Sequence, residues 1–232
     1  MSQIGTNKFI SRKILVHMME DYRYMTLNQF RALVKKTQFP KDSVTLEPNK
    51  AIKKDSVEYE TQNILYNEES HNMRYLYNRN NQDVYASCIL SRTELGLYPK
   101  PSKAITDSVW LHIALFDQIR GYSVNIEHHG IYYQSIIRIS GKFWYTALIN
   151  PDEERKTEEM LKFWKEEKKK EEGTHNNLIF YTLLDGTGRG EADNYQKAEK
   201  YDFQGTGDHV CLFGLSFNPQ TYSIGLKGKL LS

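Results

Sequence analysis

The residues of this chain whose types and spacing best suit chemistry are cations interleaved with aromatics in the first hundred positions. Lys35, Lys36, Lys41, Lys50, Lys53 and Lys54 are followed by Arg74, Tyr75, Tyr77 and Arg79. Lysine offers a point charge, arginine a planar fork that fits a phosphate or a guanine edge, and tyrosine a ring with a polar tip. That is the chemistry of polyanion contact, with the lysines meeting phosphates and the arginines reaching into a groove. The charge distribution points the same way. Residues 1–100 hold 15 Lys and Arg against 11 Asp and Glu, whereas residues 101–232 hold 16 against 18, for a formal charge of +2 overall. Phosphate neutralisation drives sequence-independent nucleic-acid binding, so such a surface is expected in the first half. The same side chains would also make an ordinary solvated face, and only their convergence separates the two readings.

Other groups offer narrower possibilities. Asp185-Gly-Thr-Gly-Arg-Gly-Glu191 lies between a strand pattern and a polar helix pattern, which is where a phosphate-cradling loop belongs. Gly186, Gly188, Arg189 and Gly190 are its candidate anion contacts. Their alternate spacing is neither GxGxxG nor GxxxxGK[ST], so a surface loop explains them as well. His128 and His129 are neighbours, and adjacent strand residues face opposite ways, so both imidazoles bind one metal only at a turn. No Cys, His or carboxylate stands at ligand spacing from them, and no metal or other cofactor is expected. A Mg²⁺ nuclease of the restriction-endonuclease-like kind needs an acidic residue and an acidic-x-Lys pair on neighbouring strands. Here Glu127 is isolated, Lys142 has no carboxylate two residues before it, and Asp117 falls on a helix pattern. GxSxG and HExxH are absent, and no catalytic residue is assigned. Cys88 and Cys211 each lie in an apolar stretch, as small core residues do in a reducing compartment.

The elements that must position these residues follow from periodicity. Phe9, Ile10, Ile14, Met18 and Tyr22 recur at helical spacing. Thr26 and Gln29 form a capping box ahead of Leu27, Phe30, Leu33 and Val34, with Lys35 and Lys36 closing that helix. Residues 38–69 are ambiguous: Pro48 opens one possible helix and Ser56 caps another. Met73–Tyr77 and Val84–Leu90 read as strands around an Asn-rich turn at Asn78, Asn80 and Asn81. Two helices, an unresolved element and a hairpin follow the chain order of a winged helix-turn-helix, expected over residues 1–96. The prolines of Leu97–Ser102 mark a linker, and a second domain covers 103–232. There a helix apolar nearly all round runs from about Thr106 to Gly121 and should be buried. Strands at Ser123–Glu127, Ile131–Ser140 and Lys142–Asn150 form an antiparallel meander turning at Gly130 and at Ser140-Gly141. A charged helix reaches about Glu172 on the apolar stripe Thr157, Met160, Leu161 and Trp164, with Glu158–Lys162 and Glu166–Lys170 pairs on its solvated face. A strand at Leu178–Leu184, a polar helix at Glu191–Tyr201, and strands at His209–Phe217 and Tyr222–Leu226 complete the pattern. The expected fold class is α+β: a winged helix-turn-helix, then a mixed α/β domain with a mainly antiparallel sheet. No apolar run is long enough to cross a bilayer and no signal peptide opens the chain, so a cytoplasmic location with no membrane partner is expected.

The segments "ILVHMMEDYRYMTLNQFRALV", "VWLHIALFDQIRGY" and "SVNIEHHGIYYQSIIRI", in this order around a linker, resemble the replication-relaxation type of winged-helix proteins found on plasmids and conjugative elements of Gram-positive bacteria. The resemblance spans most of the chain and rests on layout. It implies a role in replication, transfer or control of a mobile element; the helix-helix-hairpin order and the N-terminal basic excess make the expected protein a non-enzymatic, DNA-binding accessory or regulatory one with double-stranded DNA as partner. The chain departs from that pattern at Gln38–Glu69, which is longer than a compact helix-turn-helix needs. A protein-interaction module, binding a replication or host-defence protein or a second copy of itself, is the alternative, and a degenerate nuclease is the third.

Overall fold

The computed structural model describes residues 24–38, 73–79, 82–87, 103–124, 132–170, 176–188 and 190–231. The expected helix over 9–22, the ambiguous stretch after Gln38, the turn at Asn80 and Asn81, the 97–102 linker, Cys88, Glu127, His128, His129 and Gly130 lie outside these residues. Two compact units divide the chain, one drawn from Met1–Pro101 with Asn218–Ser223, the other from Ser102–Phe217 with Ile224–Ser232.

In the first unit the short strand β1 (Tyr24–Thr26) leads directly into helix α1 (Leu27–Gln38). The junction is a capping box: the Thr26 N–H donates to Gln29 Oε1 at 3.0 Å, and the Gln29 N–H donates to Thr26 Oγ1 at 3.2 Å. These bonds satisfy donors that a helix start otherwise leaves bare. Phe30, Leu33 and Val34 bury the i, i+3, i+4 stripe, which is what ties so short a helix down. Strands β2 (Met73–Arg79) and β3 (Gln82–Ser87) form the expected hairpin. β1, which sequence periodicity does not reveal, adds to it through Tyr24↔Ala86 and Thr26↔Val84, giving the strand order β1-β3-β2.

The second unit is α+β. Helix α2 (Lys103–Ala114) is followed by β4 (Ile119–Val124), β5 (Ser135–Ile139), β6 (Lys142–Leu148), α3 (Glu154–Lys170), β7 (Asn177–Leu183), the short α4 (Asn194–Ala198), β8 (His209–Asn218) and β9 (Ser223–Leu230). The six strands lie in sequence order in one sheet. β4, β5 and β6 are the antiparallel meander; its β5–β6 hairpin turns on Ser140 and Gly141 with φ of 49° and 82°, the left-handed pair that a two-residue hairpin needs. The centre is different from the expectation of a mainly antiparallel sheet. β7 runs parallel to both β6 and β8, because the connections that carry α3 and α4 are long enough to return the chain to the same end of the sheet. All seven residues of β7 are buried, the continuous burial of a strand covered on both faces.

Register sorts the two faces. Ala147, Leu178, Phe180, Val210 and Leu212 face α3 and α4, where Met160, Leu161, Trp164, Tyr195 and Ala198 complete a core. Thr157, Met160, Leu161 and Trp164 are the buried residues of α3, as the stripe predicts. The ion pairs on its solvated face differ from the expected Glu158–Lys162 and Glu166–Lys170: Lys162 meets Glu166 and Lys170 meets Glu167, with Arg155–Glu159 beside them. α2 covers the opposite face, with Trp110 4.9 Å from Phe217. That helix is buried, as expected, but ends at Ala114 rather than Gly121. The Gln118 and Ile119 N–H groups both donate to Leu115 O, at 2.8 and 3.1 Å, and Ile119 at once pairs with Ile139. Asp117 is therefore an exposed turn residue, and the strand expected at Ser123–Glu127 begins four residues earlier. The polar helix expected over Glu191–Tyr201 shrinks to Asn194–Ala198.

Candidate nucleic-acid interface

Of the ten residues singled out for nucleic-acid contact, six fall on described backbone. Lys35 and Lys36 close α1, both partly exposed, and their charges complement the helix C-terminus. Arg74 stands opposite Ala86, Tyr75 opposite Tyr85, Tyr77 opposite Val84 and Arg79 opposite Gln82. A bulge between Tyr75 and Tyr77 shifts the register and increases local twist. α1 packs on β3, so the cation-bearing helix end and the cation-bearing strand β2 belong to one small unit. Lys41, Lys50, Lys53 and Lys54 lie outside the described residues.

The glycine loop has a packing role. Gly186 has φ +79° and a Cβ there would sit 1.7 Å from Phe217 O, while a Cβ on Gly190 would sit 2.2 Å from Leu184 O. Both glycines let the loop close on the strand ends. Thr187 is buried and its hydroxyl donates to Leu184 O at 2.7 Å, which fixes the same turn. Gly188 has φ +88°, and Arg189 lies outside the described residues.

Sequence reasoning missed a buried polar chain beneath α2. His112 Nε2 and Ser135 Oγ are 2.6 Å apart, Ser135 Oγ and Thr146 Oγ1 2.5 Å, and the Thr146 hydroxyl lies 3.3 Å from Ser135 O. All three residues are fully buried. Burial holds the imidazole neutral by pushing its pKa down to about 3, since no water remains to solvate the charged form. The available signal was a lone histidine in the apolar run Val109–Leu115. Nearby, burial raises Tyr181 well above the usual tyrosine range, with the Asp107 charge adding to it.

This chain of hydroxyls joins α2 to the neighbouring strands β5 and β6. Ser135 and Thr146 are paired across β5 and β6, and the residue two after Thr146 is Leu148. Lys142 meets His209, Nζ to Nε2 at 3.3 Å on the surface. Among the described residues no three His, Cys, Asp or Glu side chains gather as a metal site. Cys211 is half-buried, and burial raises its thiol pKa, which disfavours the reactive thiolate. Among the described residues no helix is long and apolar enough to cross a membrane. A scan against protein-family models gives no match, and neither does a search of curated proteins.

Proposed function

We propose that this chain is a non-enzymatic, DNA-binding accessory or regulatory protein of a bacterial mobile genetic element, acting in the cytoplasm. Its N-terminal unit is a winged helix that grips duplex phosphates. The observation that carries this reading is the three-stranded sheet β1-β3-β2 beside a capped helix. A strand ahead of the helix that pairs with the later hairpin supports a wing. Lys35 and Lys36 on the helix end, with Arg74 and Arg79 on β2, supply its cations. The link to mobile elements rests on the layout resemblance, and the C-terminal unit acts as a scaffold in this reading.

Fluorescence anisotropy with a labelled duplex across a salt series tests it. Affinity is expected to fall with salt at a slope of about −0.9 per phosphate neutralised. Lys35→Glu with Lys36→Glu, and separately Arg74→Ala with Arg79→Ala, should each weaken binding and flatten the slope by about 1 per cation removed. Absence of binding, or binding indifferent to salt, overturns the proposal.

One observation favours the protein-interaction alternative. β9 is an edge strand on which Leu226 and Leu230 are 43% and 64% exposed, and exposed apolar edges invite pairing. Self-association that Leu230→Glu abolishes, in a chain that ignores DNA, would favour it.

A further inference from the structure

The C-terminal unit holds a cleft of about 720 Å³ between α3 and the α4 segment. Lys162, Lys165 and Lys169, spaced at i, i+3 and i+7, line one bank, and Lys197 and Lys200 line the other. This spacing puts the three α3 lysines on one stripe. Two cations are held in place by carboxylates: Lys165 by Asp202 at 2.7 Å, and Lys197 by Glu191 and Asp193 at 3.1 and 3.3 Å. Lys162 meets Glu166 only at 4.0 Å. Lys169 and Lys200 pair with no carboxylate among the described residues. Two ammonium groups on opposite banks that meet no carboxylate among the described residues, beside two that are anchored, make a place where an anion gains contacts.

The other end of the cleft differs. Glu154 and Glu158, on the first turns of α3, line it beside Tyr201. Eleven residues of helix separate Glu158 from Lys169, or roughly 16 Å at 1.5 Å per residue. Leu161 and Tyr201 add apolar surface between these ends. A ligand fitting this polarity carries an anion at one end, a flat or apolar middle, and hydrogen-bond donors at the other. A phosphate, a sugar or base face, and base amino or sugar hydroxyl groups meet that description. Tyr201 in the lining is an aromatic ring of the kind on which an unpaired base stacks, whereas duplex bases are already stacked on one another.

We infer that this cleft binds the phosphate of an unpaired nucleotide unit, with Lys169 and Lys200 as the contacts that close on it. The inference rests on the second unit alone and stands or falls separately from the duplex contact proposed for the first. The intact chain is titrated into a short fluorescent oligothymidylate by anisotropy, over about 50 to 200 mM salt. Lys169→Glu with Lys200→Glu should weaken single-strand binding at least about tenfold and flatten its salt slope by about 1.4, from two contacts at 0.7 each. Lys35→Glu with Lys36→Glu should leave that binding unchanged while weakening the duplex. Displacement of the oligonucleotide by thymidine monophosphate, and not by inorganic phosphate, assigns the site to a free nucleotide; resistance to both assigns it to a strand. Affinity and slope unaltered in the folded Lys169/Lys200 variant overturn the inference, whatever the duplex assay shows. Tryptophan emission checks folding, and Lys169→Gln with Lys200→Gln serves if charge reversal unfolds the chain.

Discussion

Acidifying the protein from pH 7.5 to pH 5 should destabilise its C-terminal unit through one buried imidazole. His112 has no exposed surface, sits 2.6 Å from Ser135 Oγ, and is held neutral by burial with a pKa near 3 against 6.5 for the free side chain. Above pH 6.5 the residue is neutral in the folded and the unfolded chain and pH has no purchase on it. Below pH 6.5 the unfolded chain takes up a proton that the folded one refuses until about pH 3, so stability falls as the solution is acidified through that window. The linkage is about 1.4 kcal/mol for each pH unit, or about 2 kcal/mol at pH 5. That is a sizeable share of a typical total of about 5–15 kcal/mol, and it corresponds to a urea midpoint lower by roughly 1 M. All three tryptophans, Trp110, Trp144 and Trp164, lie in this unit, so their emission during urea unfolding reports it. His112→Gln keeps an amide nitrogen near Ser135 but cannot titrate. Its stability should therefore fall less with acid than that of the natural chain, by the same 2 kcal/mol, whatever its absolute value. Parallel losses in the two proteins between pH 7.5 and 5 would refute the reasoning. Ser135→Ala, which leaves the imidazole buried, should retain the steep profile.

Gly141→Ala and Gly186→Ala begin from nearly the same positive φ, +82° and +79°, but nothing lies within 4 Å of a Cβ at Gly141, whereas Phe217 O lies at 1.7 Å from one at Gly186. The first should cost about 1 kcal/mol of backbone strain, the second more than about 3 kcal/mol because backbone must move; equal urea midpoints would contradict the packing argument. Thr26→Ala removes half of the capping box and should cost about 1 kcal/mol, read as faster amide exchange in α1 with the C-terminal unit unaffected. Under the non-enzymatic reading proposed above, a Mg²⁺-dependent cleavage assay on single- and double-stranded DNA should stay blank; cleavage lost on mutating Ser135 and Thr146, which pair across β5 and β6, would reverse it.

Local signals in the sequence sufficed wherever a few neighbouring residues carry the energetics. Thr26 and Gln29, three apart, specify the start of α1. Thr157, Met160, Leu161 and Trp164 specify the buried face of α3, and Ser140-Gly141 specifies the tightest turn of the sheet. Each is a matter of periodicity or backbone dihedral within one turn, so no distant partner enters. The boundary of α2 was not legible, because Leu115, Phe116 and Ile119 continue the apolar helical pattern and only pairing with β5 draws Ile119–Tyr122 into a strand. Only the tertiary structure decided that β1 would join β3, that β7 would run parallel between β6 and β8, and that His112, Ser135 and Thr146 would meet across 23 and 11 residues of chain. The same holds for the reason Gly186 is glycine, which resides in a carbonyl thirty-one residues away, and for the two banks of the lysine cleft. These are contacts whose loop-closure entropy is repaid collectively by the packed sheet, and no single segment encodes that repayment.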